Sequence, residues 1–258
     1  MTGDDVRAWE HFLLGVNPSS KLVVDGTFDD SVVSETKRFQ RNVGYTGRNV
    51  DGVVGPLTMG RAMTLGFDPL FDDSTFEDGP NWPVKPDGVE PMSPAERANV
   101  FGQFSFKPSP SASNPEGIVI TDGWARENIV TIELPQLGSV AGRPKKCLVE
   151  CHKLVAQQLK SLFEHWEREG LMKLVLTWNG MWVPRFVRGS RTSLSNHSLG
   201  TAFDINYQWN MLGTRGALKG HRGSVRELML IAVEHGWFSG GWYKGRKDFM
   251  HLEVYKIT

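Results

Sequence analysis

The run "TAFDINY", residues 201 to 207, sets an aspartate inside an otherwise apolar, strand-like segment. In a strand, alternate residues share a face. Ala202, Asp204 and Asn206 therefore fall on one side, and Phe203, Ile205 and Tyr207 on the other. Asp204 sits beside the smallest side chain of its face, which leaves room next to the carboxylate. An isolated buried carboxylate is very costly, and a cation at that point would resolve the cost. Just upstream, His197 lies in "SNHSLG", a loop that Gly200 allows to turn tightly.

The C-terminal segment "KDFMHLEVY" offers a partner. As a strand it points His251, Glu253 and Tyr255 one way and Met250, Leu252 and Val254 the other. If the strands holding Asp204 and His251 pair, two imidazoles and one carboxylate converge. Two histidines and one carboxylate around an open position suit catalytic zinc. Asp248, three residues before His251, is placed to sit beside the same metal without binding it. From there it would serve as a general base.

The N-terminal stretch has a different character. Val6, Trp9, Phe12 and Leu13 recur at helical spacing. Asp29 or Asp30 is positioned to cap a second helix with Val32, Val33, Thr36, Phe39 and Gln40 on its inner face. Pro56 suits the first turn of a third helix. The phrases "VDGTF" and "VDGVV" repeat, each a turn leading into a helix.

The residues Asp25, Gly26, Phe28, Phe39 and Gln40, followed by Asp51, Gly52, Val54, Gly55 and Thr58, resemble the peptidoglycan-binding domain of bacterial and phage wall enzymes. The resemblance covers roughly residues 4 to 66. It implies a three-helix bundle with a shallow groove for glycan or stem peptide. Asp29, Asp30 and Ser31 depart from the family, which usually has Gly then Thr there.

Residues 68–95 are rich in Pro, Gly and acid, a composition that breaks regular structure. They read as a linker, with Phe71, Phe76 and Trp82 expected to dock parts of it. From about residue 96, helical and strand patterns interleave. "GIVIT", "NIVTIEL", "MKLVLTWN" and "FMHLEVY" read as strands. "CLVECHKLVAQQLKSLFEHWEREG" reads as one long helix with a Leu148, Cys151, Leu154, Val155, Leu159, Leu162, Phe163, Trp166 stripe, and "GSVRELMLIAVEHGW" as another. The expected fold class is α+β: a small three-helix domain over 1–67, a linker over 68–95, and a domain over 96–258 with an antiparallel sheet and flanking helices.

Ser195, His197, Gly200, Ala202 and Asp204, followed by Asp248 and His251, resemble the zinc D,D-carboxypeptidase and L-alanyl-D-glutamate endopeptidase family, which cuts peptidoglycan stem peptides. The resemblance covers about residues 100 to 258. It implies Zn2+ held by His197, Asp204 and His251, with Asp248 as the catalytic base. Carboxypeptidases of the family often carry Glu at that last position and many endopeptidases carry Asp, so Asp248 leans towards the endopeptidase.

The family also places an arginine upstream to hold a substrate carboxylate. Arg185 and Arg188 both qualify, and both also read as solvated strand residues. Ser195 either hydrogen-bonds substrate or shapes its own turn. Glu253 either supports a ligand or lies exposed on its strand. Trp242 and Tyr243 either line a cleft or pack at its rim. The other histidines, His11, His152, His165, His221 and His235, read as packed or surface residues. Cys147 and Cys151 read as packing thiols, with a zinc pair as the other possibility.

Composition narrows the rest. The 29 Lys and Arg balance 29 Asp and Glu, which argues against a nucleic-acid partner held mainly by phosphate attraction. No segment approaches the ~20 apolar residues of a membrane span. The N-terminal residues lack the basic start and apolar run of a signal peptide. The expectation is cytoplasmic synthesis, with action on the wall as a phage endolysin or through specialised export, as a monomer whose partner is bacterial peptidoglycan. Within the enzyme class the alternative is a D-alanyl-D-alanine carboxypeptidase. Outside it, the alternative is a non-catalytic wall-binding or virion protein with a structural metal.

Overall fold

A computed structural model describes residues 2–17, 19–65, 67, 82–213 and 216–258. Phe71 and Phe76 lie outside the described residues. The chain divides into two compact units. The first comprises Met1–Val84, Gln208–Glu227 and Gly241–Phe249, and the second Lys85–Tyr207, Leu228–Gly240 and Met250–Thr258.

The first unit is built on helices α1 (Asp4–Val16), α2 (Asp30–Asn42) and α3 (Pro56–Met63). Asp29 rather than Asp30 caps α2, its side chain accepting from Ser31 N and Val32 N. Pro56 opens α3, where its missing N–H would have had no helical partner. Trp9, Phe12 and Phe39 form the core, with edge-on ring contacts of 5.7 Å between Trp9 and Phe39 and 5.2 Å between Phe12 and Phe39. Leu218 joins this cluster from the later segment.

The two "VDG" turns share one construction. Gly26 and Gly52 both adopt positive φ, +76° and +80°, which glycine tolerates without a Cβ penalty. In each turn a buried side chain from the preceding helix accepts the glycine N–H. Glu10 Oε2 accepts from Gly26 at 2.9 Å, and Gln40 Oε1 accepts from Gly52 at 2.9 Å. Each turn aspartate accepts from the residue two on: Asp25 from Thr27 N and Asp51 from Val53 N.

The second unit is mixed α and β. It begins with α4 (Pro94–Phe101), opened by a reciprocal capping box between Ser93 and Glu96. There follow β1 (Phe106–Pro108), β2 (Ile118–Ile120), α5 (Trp124–Asn128), β3 (Ile129–Glu133), β4 (Leu148–His152), α6 (Ala156–Arg168), β5 (Ala202–Asp204), α7 (Met229–Glu234), β6 (Trp237–Ser239) and β7 (His251–Val254). The strands make three small antiparallel sheets, β1–β2, β3–β4 and β5–β7–β6.

Two sequence expectations need correction. The long helix across 147–170 is instead strand β4 followed by α6. Residues 148–152 pair with β3 along their whole length, His152 opposite Ile129 and Leu148 opposite Glu133. The run "MKLVLTWN" is a short 3-10 turn over Met172–Leu174 and then isolated bridges at Thr177 and Trp178 rather than a continuous strand. Helix α6 keeps the predicted stripe over its own length, with Leu159, Leu162, Phe163 and Trp166 fully buried.

The outer face of β5 fixes its register. Phe203 is fully buried and lies 5.5 Å from Trp178 in a stacked arrangement and 4.9 Å from Trp237. A slip by one residue would turn Phe203 out of this aromatic core and turn Asp204 into it.

Candidate metal centre

Each member of the site is placed by a separate local device. Residues Asn196–Leu199 form one 3-10 turn capped by Ser195, whose hydroxyl accepts from His197 N at 3.4 Å. Gly200 closes the turn at φ +65°, and a Cβ there would lie 2.8 Å from His152 N. The chain then enters β5. In the β5–β7 ladder Asp204 stands directly opposite His251, and Ala202 opposite Glu253. Residues 177–180 brace the other side of β5. Asp204 N donates to Gly180 O at 3.1 Å and Asn179 N to Asp204 O at 2.9 Å.

The three predicted ligands converge. Asp204 Oδ1 lies 3.2 Å from His197 Nε2 and 2.9 Å from His251 Nδ1, and those two nitrogens are 3.2 Å apart. All three residues are buried, and among the described residues they are the group of three able to hold a metal ion.

The far nitrogens assign the tautomers. His197 Nδ1 lies 2.9 Å from the Met181 carbonyl and so carries the proton it donates. His251 Nε2 faces Glu253 Oε2 at 3.5 Å, and Glu253 is itself buried. With those protons outward, both inward nitrogens present lone pairs to a carboxylate oxygen. Three acceptors within about 3 Å of one another repel unless a cation stands among them. Burial works against the Asp204 carboxylate. Were the imidazoles protonated instead, their positive charge and hydrogen bonds would hold its pKa well below the usual range; with neutral imidazoles a bound cation takes that part. The donor set can therefore hold a metal ion. The outer partners, a carbonyl and a carboxylate, are of the kind that orient histidine ligands.

The remaining candidates are placed as follows. Ser195 is buried and caps the ligand turn, and its N–H donates to Arg185 O at 3.0 Å. Arg185 is half-buried. Its Nη1 donates to Phe186 O at 3.2 Å, and its backbone N–H donates to Ser198 Oγ at 2.9 Å. Arg188 is exposed and ion-paired with Glu116. Asp248 is half-buried and belongs to the first compact unit, three residues ahead of His251 in the chain.

Residues 188–254 match the family model of D-alanyl-D-alanine carboxypeptidase. The matched stretch contains His197, Asp204, His251, Asp248, Ser195 and Arg188, and stops short of Arg185. It supports a peptidase acting on peptidoglycan. Neither the curated proteins nor the solved structures give a match to the chain. No helix among the described residues is long and apolar enough to cross a membrane.

Several supporting residues escape a sequence reading. The Met181 carbonyl that orients His197 has no side-chain signature. Asn206 adopts φ +56° and is fully buried. Its Oδ1 accepts from Leu176 N and Thr177 N at 2.8 and 3.1 Å, and its Nδ2 donates to Leu174 O at 2.7 Å. Asparagine is among the residues that tolerate this backbone region, which was the available clue. The buried position of Glu253 removes the exposed alternative for it. Cys151, on β4, is buried and its thiol pushed up to about 12 by burial, an inert packing thiol.

Proposed function

We propose that the chain is a zinc-dependent peptidase that hydrolyses a peptide bond in the stem of bacterial peptidoglycan. The observation that carries this reading is the convergence of two histidine nitrogens and one carboxylate oxygen inside the matched stretch, through the Asp204–His251 register and the turn that holds His197. Two imidazoles and a carboxylate are the donor types of open zinc sites. His197, Asp204 and His251 would hold the ion. Bound there, zinc supplies Lewis acidity towards a carbonyl oxygen and acidifies water.

The chain's own groups supply the rest. Met181 and Glu253 keep the ligand nitrogens turned inward. Asp248 takes a proton from the attacking water and passes it to the leaving amine. Arg185 or Arg188 would hold a substrate carboxylate, a task that suits a bidentate guanidinium. Residues 1–67 hold the enzyme on the wall and raise its effective concentration there, residues 68–95 connect, and residues 96–258 carry the chemistry.

For the bond, Asp248 in place of glutamate favours L-alanyl-D-glutamate cleavage, whereas the family match favours removal of terminal D-alanine. Mass spectrometry of purified peptidoglycan digested by the full chain, with and without a chelator, decides. New amino termini on D-glutamate mean endopeptidase action, and free alanine means trimming. Intact stems in both arms would leave a non-catalytic wall-binding protein.

A further inference from the structure

The segment read as a linker contains "NWPV", and its Trp82 is packed within the first compact unit against the two later segments of that unit. The indole meets Phe249 edge-on at 4.8 Å and Trp242 at 6.2 Å. The Arg226 guanidinium lies 5.2 Å from the ring, within cation–π range. Arg226 is itself buried, its Nε donating to Ala217 O at 2.8 Å and its Nη2 to Gly216 O at 3.3 Å. Trp242 Nε1 donates to Pro83 O at 2.8 Å, which ties the backbone beside Trp82 to the same segment.

Gly241 shows how close this packing is. A Cβ added there would overlap the Trp82 ring, closer than any real side-chain contact. The Gly241 backbone is not in the left-handed region, so the ring, and not the dihedral, is what excludes a side chain. Phe249, the residue after Asp248, is fully buried and also abuts Gly216. The Gly241–Phe249 segment is thus gripped at both ends by contacts that converge on one indole.

We infer that Trp82 is a positioning residue for the segment that carries Asp248, so the peptide preceding the peptidase region completes it. This rests on the peptidase reading above, in which Asp248 is the base. A misplacement of about 1 Å can cost on the order of a hundredfold in rate. A residue that sets the segment therefore affects turnover without touching substrate.

The test is a double-mutant cycle in the full chain, with kcat and KM measured on a soluble stem-peptide substrate and Co2+ affinity measured alongside. Trp82→Ala should lower kcat by about tenfold or more with KM and Co2+ affinity near wild type, and Trp82→Phe should recover most of the loss. Gly241→Ala should lower kcat similarly in the wild-type background, because its methyl displaces the ring. It should add little in the Trp82→Ala background, where the ring is gone. Wild-type turnover in folded Trp82→Ala, or an equal Gly241→Ala penalty in both backgrounds, overturns the inference alone. Should Trp82→Ala lose cooperative melting, Gly241→Ala, which keeps every ring, decides: wild-type kcat in it overturns the inference. A wild-type chain without turnover overturns this inference together with the peptidase reading.

Discussion

Asp204 and His251 stand opposite one another in the β5–β7 ladder, with Oδ1 of one 2.9 Å from Nδ1 of the other. Residues 47 positions apart in the chain are brought together by one antiparallel register, and His197 completes the set from a capped turn seven residues before Asp204.

On the proposed function, Asp248 separates binding from chemistry. Asp248→Ala should leave metal affinity within a few-fold of wild type and lower kcat by roughly 10²–10⁴, the usual contribution of a general base. Isothermal titration with Zn2+ and a stem-peptide assay on the same preparation check both halves. Equal loss of metal would make Asp248 a ligand instead.

Glu253 holds the outer nitrogen of His251. Removing such a partner typically weakens metal binding by about 10- to 100-fold. Glu253→Ala should therefore fall in that range by competition with a chromophoric chelator, while His251 remains in place.

Asn206 is the main brace behind β5. Asn206→Ala would leave two N–H groups and one carbonyl without their partner and force a Cβ-bearing residue to hold φ +56°. With each unsatisfied buried group costing about 1–3 kcal/mol, a loss of at least about 3 kcal/mol is expected. Asn206→Gly loses the same bonds but accepts the backbone angle, so it should be roughly 1 kcal/mol less damaging. Urea denaturation at constant pH measures the difference.

His152 predicts a pH dependence of stability away from the metal centre. It is buried between Phe101 and Trp124, and burial holds its pKa down to about 4. The unfolded chain protonates it near 6.5, so between those values the unfolded state binds the extra proton. Its contribution is complete above pH 6.5 and is lost as pH falls towards 4, on the order of 3 kcal/mol in all. Denaturation midpoints from pH 7 to 4 should drop accordingly, and His152→Gln should flatten that part of the profile.

The convergence of His197, Asp204 and His251 was more legible in the sequence than the framework was. Alternation in "TAFDINY" depends only on the strand's own residues, so the faces of Ala202, Phe203 and Asp204 were readable. The α2 cap and the paired "VDG" turns were also local. Strand β4 was not. Its residues satisfy a helical stripe as well as a period of two, and only pairing with β3, up to 23 positions away, decides between them. The contacts of Trp82 with Trp242 and Phe249 are equally non-local: its aromatic ring marked a docking point, but nothing local named the partners.

The central claim is that His197, Asp204 and His251 together grip a metal. Zn2+ titration of the metal-stripped full chain, beside Asp204→Ala, tests it most directly. The account predicts a single ion bound per wild-type chain and an affinity at least about 100-fold weaker in the variant, since the carboxylate is a ligand rather than its support. Equal affinity in the two proteins, or no saturable binding by the wild type, would contradict it.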